Sequence, residues 1–210
     1  MLVFGVGSGR CGTTSLRLFL DLQRGVSVTH ELNFEGTRQP MPWQVDHALA
    51  RQQLNMLLQK PATIRGDIGF YWLPYTEWIL KQYPDTRFIC LKRNKADTVS
   101  SYLRRAGERN HWLQHDGTQW ELDVVWDKAF PKYGIEDRQE AVAEYWEDYY
   151  AVAGRLQRDH AHNFRIFPVE ALNSREGQGA ILSFIGILPA DMIFTPSFRL
   201  NTSEDQSLQT

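Results

Sequence analysis

The chain has few cysteines, no long apolar run and no excess of either charge, and each shortage excludes something. Only Cys11 and Cys90 occur in 210 residues, too few for a disulfide framework, and that usage fits a reducing cytoplasm. No run of 18 apolar residues exists, so no membrane span is expected. The first apolar run begins at residue 2, which leaves no room for a signal peptide. A net charge of −2 supplies no polyanion-binding surface and disfavours nucleic acid as a partner. Internal repeats and low-complexity tracts are also lacking, and only residues 202–210 read as a polar tail. What remains is globular in composition, 42% hydrophobic and 23% charged, with a length that suits one domain over residues 1–201.

The most informative stretch comes first. Leu2-Val3-Phe4 reads as a buried strand and gives way at once to Gly5, Gly7, Gly9 and Gly12. A helix is expected from Thr13 or Thr14 to about Leu22, with Leu16, Phe19 and Leu20 on one face and Gly25 beyond its end. Strand, glycine loop and helix start make a phosphate cradle, because glycines let successive N–H groups turn inward and the helix start adds partial positive charge. Gly7-x4-Gly12 has the Walker A spacing, but Thr13 stands where the lysine belongs and the cation sits inside the loop at Arg10.

Further strands are expected at Val26–Glu31, Thr63–Arg65, Arg87–Lys92 and Phe164–Val169. Gly66–Gly69 reads as a turn after the second of these. Helices are expected from Asp46 to about Lys60, over Pro74–Gln82, Lys95–Arg105 and about Glu136–His160, and from a Ser174 cap to Ile185. Strands that alternate with helices argue for an α/β fold: a parallel central sheet with helices on both faces, a three-layer sandwich like that of P-loop NTPases. Ligands then sit at the carboxyl ends of the strands, where Arg10, Glu31, Asp67 and Arg93 all fall.

An NTPase with this loop needs Mg²⁺, held in part by an aspartate that ends another apolar strand. The best such strand here, RFICLKRN, ends in Lys92-Arg93, which opposes a metal and favours a second anion. Arg93 and Ser101, eight residues apart, can hold one phosphate between a strand end and the following helix. In order and separation, GSGRCGTTSL and FICLKRNKADTVSSY together resemble the two nucleotide motifs of the sulfotransferases that use 3′-phosphoadenosine 5′-phosphosulfate (PAPS). A weaker match, FRIFPVEALNSREGQGAILSFIGI, extends the resemblance over roughly Leu2–Ile187.

The resemblance implies a metal-free sulfuryl transfer from PAPS to a hydroxyl or amine, with adenosine 3′,5′-bisphosphate as product. It places the 5′-phosphosulfate on Gly9, Arg10, Cys11, Gly12, Thr13, Thr14 and Ser15, and the 3′-phosphate on Arg93 and Ser101. Arg10 would stabilise charge on the leaving phosphate, an effect typically worth about 3–4 kcal/mol. The acceptor must lose a proton, so a base is needed beside the sulfur. Glu31 is the first candidate: it follows Arg10 by 21 residues, and ELNF resembles the Glu-x-His-Phe pattern of the glycosaminoglycan branch. His30 is the second, since the cytosolic animal enzymes use histidine. Strand alternation sets the two on opposite faces if the strand runs through both.

One departure stands out. Where the glycosaminoglycan branch carries Lys-Ser/Thr-Pro, this chain has Asp67 and Gly69, and Asp67 is open to a positioning role or to service as a second base. Residues 107–135, with His111, Trp112, His115, Trp120 and Trp126, read as an acceptor-facing insertion. His111-x3-His115 has metal-ligand spacing but no third ligand, so no metal is expected. Val142, Tyr145, Trp146 and Tyr149 form a core stripe, Arg104-Arg105 are candidates to assist the 3′-phosphate, and Arg199 and Asn201 to close over the nucleotide. A near-neutral, aromatic-rich chain suits a small-molecule, glycan or lipid-headgroup acceptor. The rival readings are a P-loop kinase and a nucleotide-binding module without turnover.

Overall fold

In the computed structural model, which describes residues 1–33, 38–105, 109–113 and 125–196, five strands form one sheet. They are β1 (Leu2–Val6), β2 (Val26–His30), β3 (Ile64–Ile68), β4 (Arg87–Lys92) and β5 (Phe164–Pro168), in the order β2-β3-β1-β4-β5. Every pairing is parallel. Helices α1 (Thr13–Asp21), α2 (His47–Leu58), α3 (Thr76–Gln82), α4 (Lys95–Arg105), α5 (Arg138–Asp159) and α6 (Arg175–Phe184) cover it.

Side-chain alternation along β1 divides the core between the two faces. Val3 points to a layer built with Leu16, Phe19 and Leu20 of α1 and Ile181 and Leu182 of α6. Leu2, Phe4 and Val6 point the other way, onto Leu54 and Leu57 of α2, Trp72, and Tyr145 and Tyr149 of α5. The result is the α/β three-layer sandwich that the alternating pattern predicts. The caps also fall where the side-chain chemistry puts them. Asp46 accepts from the N–H groups of Ala48 and Leu49, Asn94 from that of Asp97, and Ser174 from that of Gly177.

The third strand departs from expectation. Gly66 and Asp67 do not turn the chain; β3 continues through Ile68, and a 3₁₀ segment, Phe70–Tyr75, carries the aromatic group ahead of α3. A Cβ on Gly66 would stand 1.7 Å from the Val3 carbonyl oxygen, so the glycine is there to let β1 and β3 pair. The strand thereby delivers Asp67 to the carboxyl edge of the sheet. No described helix is long and apolar enough to cross a membrane.

Candidate active site

The loop between β1 and α1 is built on backbone that only glycine adopts freely. Gly7, Gly9 and Gly12 have φ of 147°, 78° and 92°. Gly12 offers α1 no side-chain cap, which leaves the first-turn N–H groups without that partner. Tyrosines hold the loop from outside. The Gly7 N–H donates to the Tyr149 hydroxyl at 3.0 Å and the Ser8 N–H to that of Tyr150 at 3.4 Å. These hydroxyls donate onward to the carbonyls of Phe70 (2.8 Å) and Leu91 (2.7 Å). The Tyr102 hydroxyl donates to the Ser8 carbonyl at 2.6 Å. Tyr149, read as part of a core stripe, is thus also part of the loop's clamp.

Arg10 itself sits at φ 53°. Its Nε donates to Ser101 Oγ at 3.2 Å, and an Arg93 Nη donates to the Arg10 carbonyl at 3.3 Å. The Trp146 indole in turn donates to the Arg93 carbonyl at 3.1 Å. Burial, and then the like charge of Arg105, lowers the pKa of Arg10, while Tyr102 and Glu31 oppose that. Arg10 is therefore linked to both residues expected to serve the other phosphate, to Ser101 by its own guanidinium and to Arg93 by that of Arg93.

At the end of β2 the chain turns left-handed at Glu31 (φ 57°) and Leu32 (φ 47°). Asp67 holds that turn. Its carboxylate is fully buried and accepts four bonds, from the Thr29 hydroxyl (2.7 Å), the Leu32 N–H (2.9 Å), the Tyr71 hydroxyl (2.9 Å) and the Trp72 indole (2.8 Å). Burial raises its pKa, and the four donors offset only part of that rise. With both oxygens engaged, Asp67 is a brace for the β2 end and has no oxygen free to serve as a second base.

The turn also removes the opposition between the two base candidates. Because β2 ends at His30, alternation does not reach Glu31, and the two side chains lie together, His30 Nδ1 3.7 Å from a Glu31 oxygen. His30 Nε2 is 3.2 Å from Thr13 Oγ1, and Arg38 Nε is 3.4 Å from Glu31. Their basicities diverge. Burial, aided by Arg38 and Arg17, drops His30 to about 4. Burial raises Glu31 to about 6, Asp67 adding to the rise and Arg38 and Arg10 opposing it. Glu31 is the stronger base of the pair and is still ionised at neutral pH.

These groups open on one cavity of about 550 Å³. Gly9, Arg10, Thr13, Thr14, His30 and Glu31 line it, as do Arg38, Tyr102, Arg105 and Arg109. Gly69 and four rings, those of Phe70, Trp126, Phe130 and His111, make the rest of its wall.

No family model matches the chain, and no curated protein matches it significantly. Solved structures do resemble it. One is a sulfotransferase from Alicyclobacillus acidocaldarius, with a TM-score of 0.53 at 16% identity over 97% of this chain and 86% of its own. The likeness is one of fold.

Of the other residues singled out in the sequence, Cys11, Gly12, Ser15, Arg93 and Ser101 do not line the cavity. Cys11 is buried under the loop, and burial pushes its thiol up to about 11, so only its backbone has a part in the cradle. Arg65 donates to the carbonyls of Leu58 and Ala62 at the end of α2 and does not replace the missing lysine. Phe34, His115, Trp120, Arg199, Asn201 and residues 202–210 lie outside the described residues. Sequence reasoning passed over Ser8, Tyr102, Tyr150 and Arg38. The tyrosines follow helical spacing that signals core, and nothing local marks their hydroxyls as loop-directed.

Proposed function

We propose that the chain is a sulfotransferase that moves the sulfuryl group of PAPS to a hydroxyl or amine on a small molecule, glycan or lipid headgroup. The observation that carries this reading is the pairing, in one cavity, of a lysine-free glycine loop bearing Arg10 with the basic carboxylate Glu31. The uncapped start of α1 and the Arg10 guanidinium suit the phosphosulfate end of the donor, and Arg93 with Ser101 suits its 3′-phosphate. PAPS supplies an activated sulfuryl group on a phosphate leaving group.

The protein's own part is threefold. The clamped loop holds its N–H groups in place before the donor arrives. Glu31 takes the acceptor proton, and Arg10 stabilises the charge left on the phosphate oxygens. His30 hydrogen-bonds Thr13 and is too weak a base to compete. Residues 1–201 form the catalytic domain in this reading, and residues 107–135 face the acceptor, a placement supported by His111, Trp126 and Phe130 in the cavity wall. Two free, buried thiols suit a cytoplasmic setting.

Calorimetry with adenosine 3′,5′-bisphosphate and with ATP–Mg²⁺, followed by a labelled-sulfate transfer assay over an acceptor panel, tests the proposal. The bisphosphate is expected to bind. Tight ATP–Mg²⁺ binding with none of the bisphosphate would establish the kinase reading instead. Bisphosphate binding with no transfer to any acceptor would leave a binding module.

A further inference from the structure

His111, in the cavity wall, is paired with a buried carboxylate, and the proposed transfer gives the pair no task. His111 Nδ1 lies 2.5 Å from Asp127 Oδ1, and Asp127 is only 6% exposed. The pair is held on several sides. Asp127 opens a 3₁₀ turn, Asp127–Ala129, and Lys132 Nζ donates to the His111 carbonyl. Trp112, next in the chain, is fully buried, edge-on to Phe130 (4.9 Å) and Tyr102 (5.3 Å). The imidazole lies flat on Phe130 (5.0 Å, 15°), Phe130 on Phe70 (4.5 Å, 23°), and Phe70 near-parallel to Trp126 (6.2 Å, 24°). The four rings form one column along the cavity wall.

The chemistry of the pair fixes what His111 offers. A carboxylate only accepts, so in the neutral imidazole Asp127 accepts the Nδ1–H hydrogen bond and the lone pair stays on Nε2. No described residue hydrogen-bonds Nε2. A histidine whose one nitrogen is tied down and whose other has no described partner in a ligand-sized cavity is a preset hydrogen-bond acceptor. Glu31 already has the reacting proton in the proposed transfer. His111 is therefore available to a different donor group on the same acceptor molecule.

We propose that His111 Nε2 receives a hydrogen bond from a second O–H or N–H of the acceptor, one not undergoing sulfation, and so selects acceptors with two donor groups on a flat ring. Asp127 is its positioning residue. The inference rests on the sulfotransferase reading for the word acceptor, but not for the binding contact itself.

The test uses phenol and the three dihydroxybenzenes as probes, with ¹⁵N NMR of the histidine rings and labelled-sulfate transfer from PAPS as readouts. In the free protein His111 should show Nδ1 protonated and Nε2 bare, and at least one dihydroxybenzene should shift Nε2 where phenol does not. In transfer, that diol should have a KM at least tenfold below that of phenol. His111→Ala should erase this advantage through KM with kcat nearly kept. His111→Gln, which restores an acceptor oxygen near the Nε2 position, should recover part of it. Asp127→Asn should move the proton to Nε2 and behave like His111→Ala. A protonated Nε2 in the wild type, no Nε2 shift with any diol, or a diol advantage that survives in His111→Ala overturns the proposal. Calorimetry with adenosine 3′,5′-bisphosphate, run alongside, reports separately on the sulfotransferase reading.

Discussion

Replacing Glu31 by glutamine should make the protein more stable and less active at once. The carboxyl is raised from its usual 4.5 to about 6, chiefly by burial. At about 1.36 kcal/mol per pH unit, that difference amounts to about 2 kcal/mol. The sign follows from proton affinity. A carboxyl that holds its proton more tightly folded than unfolded costs stability whenever it is ionised. The cost is absent below pH 4.5, grows between 4.5 and 6, and is complete above 6. Glutamine is never ionised, so Glu31→Gln should gain about 2 kcal/mol at pH 8, or about 4–8 °C in Tm for a chain of this size. The gain should vanish near pH 4. Urea unfolding at both pH values measures it. Sulfate transfer should meanwhile fall by about 10²–10⁴, the usual contribution of a general base, with bisphosphate affinity unchanged. If the variant is no more stable than wild type at pH 8, if the gain persists at pH 4, or if transfer is untouched, the assignment of Glu31 as a desolvated base is wrong.

Other outcomes can be stated briefly. For the wild type, transfer should rise with pH through about 6 as Glu31 ionises, and a profile flat between pH 5 and 7 would contradict that assignment. Asp67→Asn sets an amide NH₂ against the fixed Trp72 indole donor, which should cost about 1–3 kcal/mol in urea unfolding. It should also lower kcat by loosening the Glu31–Leu32 turn, while bisphosphate affinity is retained. Gly66→Ala drives a Cβ into the Val3 carbonyl, so β1 and β3 cannot pair and little folded protein should be recovered by circular dichroism. Tyr102→Phe removes the donor to the Ser8 carbonyl and should cost about 1 kcal/mol, with a matching loss of bisphosphate affinity by calorimetry.

Two units were largely legible in the sequence, β4–α4 and β1–loop–α1, although β1 runs on through Gly5 to Val6, beyond the expected break at Gly5. Each is written in local signals: an apolar run, glycines or an Arg-Asn break, then helical spacing. The sheet edge at β3 was not, because Gly-Asp is turn chemistry by local rules and only the Val3 backbone across the sheet demands a glycine there. The Glu31 turn escaped for a similar reason. Left-handed φ at a glutamate is not favoured locally, and it holds here through Asp67, which binds the Leu32 N–H 35 residues away in sequence. His111 was weighed against His115 on metal-ligand spacing, whereas its partner is Asp127. In each case a contact between distant parts of the chain decided what a short window could not.

The tyrosine clamp sets the order in which the molecule becomes competent. Gly7 and Ser8 are synthesised well before the hydroxyls that hold their N–H groups, which lie 142 positions later, on α5. An amino-terminal fragment that ends before residue 138 has the whole glycine sequence but neither of those two hydroxyls. The glycine loop is thus translated long before it can be held in place. A nascent or truncated chain therefore carries an unheld loop until the α5 face of the sheet is covered.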